Sequence, residues 1–170
     1  MKAPRSLKSR ALQLLAQRDQ SRVELRRKLL AFGREAGSED ETTAADLPSR
    51  VDAVLDWLEA GRFLSNERFA EARVNARAPR FGNLRIRQEL ARHEVTLTPE
   101  AQQALADSES KRARAVRDRK FNAPPATAAE HARQARFLGA RGFSSDVIRR
   151  VLRDAARSAE ETSRLPEEPE

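Results

Sequence analysis

The chain has no cysteine and no tyrosine, and it holds only two His, one Met and one Trp. Without thiols there can be no disulfide, no thiolate metal site and no cysteine nucleophile, which fits a reducing compartment such as the cytoplasm. Strand-favouring residues are also scarce. Eight Val and two Ile among 170 residues argue against a large sheet. No stretch approaches the ~18 continuous apolar residues of a membrane span, and no apolar run follows the basic N-terminus. The sequence therefore predicts neither a membrane segment nor a signal peptide. It also lacks a glycine-rich loop followed by Lys and Ser or Thr, so no phosphate cradle for a nucleotide is expected.

What is present is alanine and charge. Alanine supplies 29 residues, which favour helix but bury little area, so each packed unit should have a modest core. Arg and Lys total 33 against 26 acids, and 28 of the 33 are Arg, whose planar fork of donors suits phosphate and carboxylate. The net charge of +7 conceals alternation: residues 1–34 carry +8, residues 35–60 carry −7, residues 61–93 carry +5, residues 94–110 carry −4, and residues 111–154 carry +8. A tail of −3 follows.

Helix signals recur along the chain. Leu7, Ala11, Leu14 and Leu15 make one apolar stripe, ending near Gln17. Ser21 with Glu24 forms a capping-box pattern for a second helix carrying Leu25 and Leu29, which Gly33 is expected to end. Residues 34–47 are acidic and aperiodic and read as a loop. Pro48 then opens a helix with Val51, Val54, Leu55 and Leu58 on one face, Trp57 joining that face and Gly61 closing it. Ser65 caps a helix bearing Phe69 and running to Arg77. Beyond the Pro79 and Gly82 breaks, Ile86 and Leu90 anchor the next, and Thr98-Pro99-Glu100 starts a short third. A basic helix runs from Ser108 to Lys120. Thr127 with Glu130 caps one that carries Phe137 and Leu138, and Ser144 starts the last, with Phe143 before it and Ile148 and Leu152 on its seam.

The segments from Ser21, Phe81 and Thr127 are thus three versions of one basic helical phrase. The expected architecture is all-α, a tandem repeat of three-helix units over 1–61, 62–107 and 108–157, with a disordered acidic tail at 158–170.

Phe63-Leu64-Ser65-Asn66-Glu67-Arg68-Phe69-Ala70, followed by Arg80-Phe81-Gly82-Asn83-Leu84-Arg85-Ile86-Arg87-Gln88-Glu89-Leu90, resembles the bacterial regulatory RecX family. The runs Ala11–Leu15 and Ser21–Leu25, and the late Phe137–Ile148 stretch, match the same family in the same order, so the resemblance spans roughly 7–155. It implies an elongated, curved array of three-helix units that binds the recombinase RecA and its DNA filament, and restrains strand exchange and RecA's coprotease activity. Two departures stand out, the acidic insertion at 34–47 and His93-Glu94, where the family commonly has a Lys- or Gly-containing turn.

Three basic clusters are the candidate contacts to RecA, to its nucleoprotein filament or directly to DNA. They are Arg26, Arg27 and Lys28; then Arg85, Arg87 and Arg92; then Lys111, Arg112, Arg114, Arg117, Arg119 and Lys120, the densest, with Arg149, Arg150 and Arg153 as weaker additions. Such groups can neutralise phosphates and release counterions without reading bases. A solvated helix face is the competing reading for any one of them. Phe69, Phe81 and Phe143 could stack on bases, but each sits where a small unit needs an apolar anchor. A helix-turn-helix over 7–31 stays open, without an assignable base-reading side chain. His93 and His131 have no Cys partners and no ligand motif, and Asp52 with Asp56 forms an ordinary surface spacing. No catalytic residue, cofactor or metal is expected. The leading function is a monomeric, non-catalytic regulator of RecA. The alternatives are an autonomous nucleic-acid-binding repeat protein and a helical adaptor for another acidic protein.

Overall fold

The computed structural model describes residues 6–35 and 46–163, with side chains as far as Ser158. Among the described residues every regular element is a helix: α1 (Leu7–Gln17), α2 (Arg22–Glu35), α3 (Leu47–Ala60), α4 (Asn66–Arg77), α5 (Asn83–Ala91), α6 (Pro99–Asp107), α7 (Glu109–Asp118), α8 (Ala128–Gly139) and α9 (Ser145–Ser163). Close packing divides the chain into two compact units, Met1–Ala72 with Leu90–Thr96, and Arg73–Glu89 with Leu97–Glu170.

In the first unit α1, α2 and α3 pack pairwise. Their stripes meet in one core of Ala11, Leu14, Leu25, Leu29, Leu47, Val51, Val54, Leu55, Leu58 and Leu64. Ser6 caps α1 by accepting from the Ser9 N–H at 3.2 Å. Gln20 closes its other end, donating to the Leu14 carbonyl at 2.8 Å. Ser21 accepts from the Glu24 N–H at 3.1 Å, the first half of the expected capping box. The Glu24 carboxylate is instead held by Arg18 and Lys28.

Gly33 does not end α2, which continues to Glu35. A Cβ at Gly33 would lie 2.5 Å from the Leu47 Cδ1 atom, so this glycine lets the first residue of α3 press against α2. Trp57 is also re-placed. It is 40% exposed, outside the Val54/Leu58 core, and stacks on the equally open Phe63 ring at 5.6 Å under the Lys8 ammonium. Most of the expected acidic loop, residues 36–45, lies outside the described residues.

In the second unit α7, α8 and α9 pack pairwise. Ala113, Val116, Leu138, Phe143, Ile148, Val151 and Leu152 form the core. Thr127 and Glu130 make both bonds of a capping box, and Thr98 caps α6 through the Ala101 N–H. The sequence reading ends α9 near 157, yet the helix continues through Ser163, whose approach (Ala-Ala-Arg-Ser-Ala-Glu-Glu) is rich in helix formers. The rest of the acidic tail, 164–170, lies outside the described residues.

Three helices end on the same device. The Phe63, Val95 and Phe143 N–H groups reach back to the Leu58, Leu90 and Leu138 carbonyls at 2.8, 3.1 and 3.3 Å. The residue before each of these amides is left-handed: Arg62 at φ 58°, Glu94 at φ 55° and Gly142 at φ 78°. Gly61, expected to take the turn after α3, has φ −81° and leaves that role to Arg62.

Candidate partner-binding surface

Whether an arginine can contact a partner depends on what already holds it. On α2, the Arg26 Nε and Nη2 atoms grip the two Asp52 oxygens at 2.6 and 3.0 Å. This hydrogen-bonded pairing raises the Arg26 pKa and holds the Asp52 carboxyl below its ordinary range. One turn earlier Arg22 spans Asp56 at 2.6 Å and Glu59 at 2.5 Å. The basic face of α2 and the acidic face of α3 are therefore partners within one unit, and part of the sequence's charge alternation is internal neutralisation. Lys28 is engaged by Glu24 at 2.9 Å and Gln20 at 2.8 Å. Arg27 is exposed and has no ion-pair partner among the described residues.

The densest cluster divides further, and two of its members are not partner-facing. Arg112 turns inward. Its Nη1 donates to the Ala78 and Phe81 carbonyls at 3.2 and 2.8 Å, and its Nη2 donates to the Leu105 carbonyl at 2.9 Å and to the Asn83 Oδ1. The Nε–H reaches the Ser108 hydroxyl at 3.2 Å, which accounts for all five donors of the fork. Burial lowers the Arg112 pKa, partly opposed by Glu109. Arg117 is 7% exposed, with its Nε on the Gln134 Oε1 at 2.9 Å and its Nη1 on Asp118 at 2.6 Å. Both face the packed side of α7 because positions 112, 113, 116 and 117 share a face under helical spacing. Arg114 pairs with Asp154 at 3.3 Å and Arg119 donates to the Ala115 and Pro79 carbonyls, although both remain exposed. Lys111 and Lys120 are exposed with no ion-pair partner among the described residues.

On α5, Arg85 lies over the Phe81 ring at 4.4 Å, whereas Arg87, and Arg92 in the turn just after the helix, are exposed without an ion-pair partner among the described residues. Arg149 is tied to Asp146, and Arg150 is free in the same sense. The cations open to an external anion are thus Arg27, Arg87, Arg92, Lys111, Lys120 and Arg150. Arg153, one of the weaker candidates, joins them, and so do Arg34, Arg50, Arg62, Arg80 and Arg136, which no cluster suggested. In sequence Arg80 lies in the Pro79–Gly82 break, apart from the three basic clusters.

Among the described residues no group of three or more His, Asp or Glu could hold a metal ion, and no helix is long and apolar enough to cross a membrane.

The family model described as RecX, third three-helix domain, matches residues 107–152, the stretch that contains α7 and α8 and the first half of α9. Over 154 residues the chain is 47% identical to the regulatory protein RecX of Ralstonia nicotianae, covering 89% of each chain. It is 48% identical over 150 residues to that of Leptothrix cholodnii, covering 87% of this chain and 88% of the relative. The relative from Neisseria gonorrhoeae is 34% identical over 157 residues, covering 91% and 94%. The crystal structure of RecX from Lactobacillus salivarius superposes with a TM-score of 0.66, at 17% identity over 89% of this chain and 95% of that one, a likeness of fold.

Proposed function

Because the chain belongs to the RecX family of regulatory proteins, we propose that it binds RecA and the RecA–DNA filament as a non-catalytic, monomeric regulator in the cytoplasm. The observation that carries this reading is the family membership along nearly the whole chain, supported by a set of surface cations with no ion-pair partner among the described residues. In this reading the chain is three linked three-helix units over 1–61, 62–107 and 108–157. Weak contacts from linked units add through effective concentration, so none needs to be strong alone. Arg27, Arg87, Arg92, Lys111, Lys120 and Arg150 supply the electrostatic part, joined by the exposed ends of Arg85, Arg114, Arg119 and Arg149. Occupying the filament restrains strand exchange and shuts out a coprotease substrate.

The test uses purified components. Binding to bare single-stranded DNA and to RecA–ATP–DNA filaments is measured across salt while strand exchange is recorded. The regulator reading expects tighter binding to the filament and inhibition of exchange at saturation. Equal binding to both DNA states without inhibition would overturn it in favour of an autonomous nucleic-acid-binding protein.

A further inference from the structure

In the second unit, α7, α8 and the turn at residues 79–81 enclose an open groove of about 300 Å³. We propose that this groove takes a short acidic segment of a partner protein that carries one apolar anchor side chain. The floor is apolar, made by Pro79, Phe81, Val116 and Phe137. The rim is wholly cationic, with Arg80, Arg119, Lys120 and Arg141 and no carboxylate among the lining residues. An apolar floor of this size suits one large side chain, and a one-signed rim selects its charged neighbours.

The rim is built rather than incidental. The Arg119 Nη2 donates to the Pro79 carbonyl at 2.9 Å and its Nε to the Ala115 carbonyl at 3.1 Å, which fixes the guanidinium at the groove edge. Arg141 lies 3.7 Å over the Phe137 ring and donates to that residue's own carbonyl at 3.4 Å. These bonds go to neutral carbonyls, so neither positive charge is cancelled by them. Arg80 and Lys120 are exposed with no ion-pair partner among the described residues. Four cations around one groove with no counter-charge in its lining call for an anionic occupant.

A nucleotide is anionic too, but base stacking needs an available ring face. Phe137 already carries Arg141 on a face and meets the Phe121 ring in a T-shaped contact, centroids 5.1 Å apart. Phe81 carries Arg85 at 4.4 Å and Arg77 at 5.9 Å. With guanidinium groups already on both rings, the groove offers apolar contact to an aliphatic or phenyl side chain more than a stacking platform. Carboxylates on the flanking residues then meet the rim.

The inference leans on the filament-binding reading only for who the partner is; its chemistry stands on the groove. The full chain is titrated into a fluorescein-labelled peptide with a central phenylalanine between two runs of three aspartates, and fluorescence anisotropy is read. The double variant Arg80→Glu/Lys120→Glu should weaken binding by about tenfold or more, and replacing the central phenylalanine by alanine should weaken it by a similar factor. The variant Arg34→Glu/Arg50→Glu makes the same change in net charge outside the groove and should stay within about twofold of the parent. Circular dichroism reports folding, and Arg80→Ser/Lys120→Ser replaces the reversal if that variant unfolds. Equal losses for groove and control variants would overturn the proposal. So would a labelled oligothymidine that loses affinity in the groove variant while the peptide does not. Peptide binding through the groove with strand exchange untouched supports the groove and overturns the filament function, so the two readings fail separately.

Discussion

Arg112 on α7 and Asn83 at the start of α5 are locked together, guanidinium Nη2 to amide Oδ1. The Asn83 amide nitrogen turns to the Leu105 carbonyl at 3.2 Å, and its backbone N–H is accepted by the Glu109 carboxylate at 2.9 Å. Gly82 and Leu84 donate to the Arg141 and Gly142 carbonyls at 2.9 and 3.0 Å. The open N–H groups at the start of α5 are thus satisfied by groups distant in sequence, not by a local cap.

Removing Arg112 should consequently cost stability and not merely charge. Arg112→Lys leaves one ammonium to replace a fork, stranding several of the carbonyls of Ala78, Phe81 and Leu105 and the Asn83 oxygen. A loss of about 2–4 kcal/mol is expected from a broken buried network. Urea unfolding measures it as a lower midpoint at unchanged m. Lys111→Gln, one residue away and exposed, should move stability by less than about 0.5 kcal/mol. Equal midpoints for the two variants would refute the internal role.

The contrast between these neighbours marks what the sequence could tell. Helix existence and most caps are local: Thr127 with Glu130, Thr98 before Pro99, and the Val51–Leu58 stripe state their roles within a few residues. The role of each arginine is not local. Arg112 and Lys111 look alike until α6 and the 78–83 segment supply acceptors. Arg26 looks free until α3 brings Asp52 across from it. Gly33 reads as a stop because a stop and a close approach use the same residue, and only Leu47 distinguishes them. Trp57 has core spacing, yet the helical face turns past it and gives its ring to Phe63.

A second prediction concerns the shared left-handed turns. Gly142 has φ 78°, and a Cβ there would stand 2.6 Å from the Arg85 Cβ and backbone nitrogen. Strain and clash combine, so Gly142→Ala should cost more than the ~1 kcal/mol of the left-handed conformation alone. Arg62 occupies the equivalent position after α3 with a side chain that bears that strain. Arg62→Gly should stabilise by up to about 1 kcal/mol, the relief exceeding glycine's entropy cost. Thermal unfolding gives both signs, and destabilisation by Arg62→Gly would count against the strain argument.

A third prediction follows from Glu24. Burial pushes its carboxyl up, but hydrogen bonds from Arg18 and Lys28 outweigh this and hold it at about 2, against an ordinary 4.5. A depressed folded value means the folded state holds the proton more weakly than the unfolded state. The stabilisation is then full above pH 4.5 and disappears as the pH falls towards 2. With Arg18 half exposed, about 1–2 kcal/mol remains after solvent screening. Glu24→Gln should be less stable than the parent at neutral pH and converge with it on acidification. A constant gap between the two across that window would show that the ion pair is not its source.

The last prediction separates cations that are spent from cations that are available. Under the proposed filament binding, each phosphate the protein ceases to neutralise lowers the slope of log affinity against log salt by roughly 0.7–0.9. Arg27→Gln, Arg87→Gln and Lys111→Gln each remove a side chain with no ion pair among the described residues, and each that touches phosphate should flatten the slope by about one such step. Arg26→Gln removes the same formal charge from the same helix as Arg27, yet it also frees Asp52 from its partner. Its main effect should be on α2–α3 packing, seen as a slightly lower unfolding midpoint that salt diminishes. The salt slope for filament binding should change little. If Arg26→Gln and Arg27→Gln flatten the slope equally, net charge governs binding and the distinction between paired and unpaired arginines has no functional meaning.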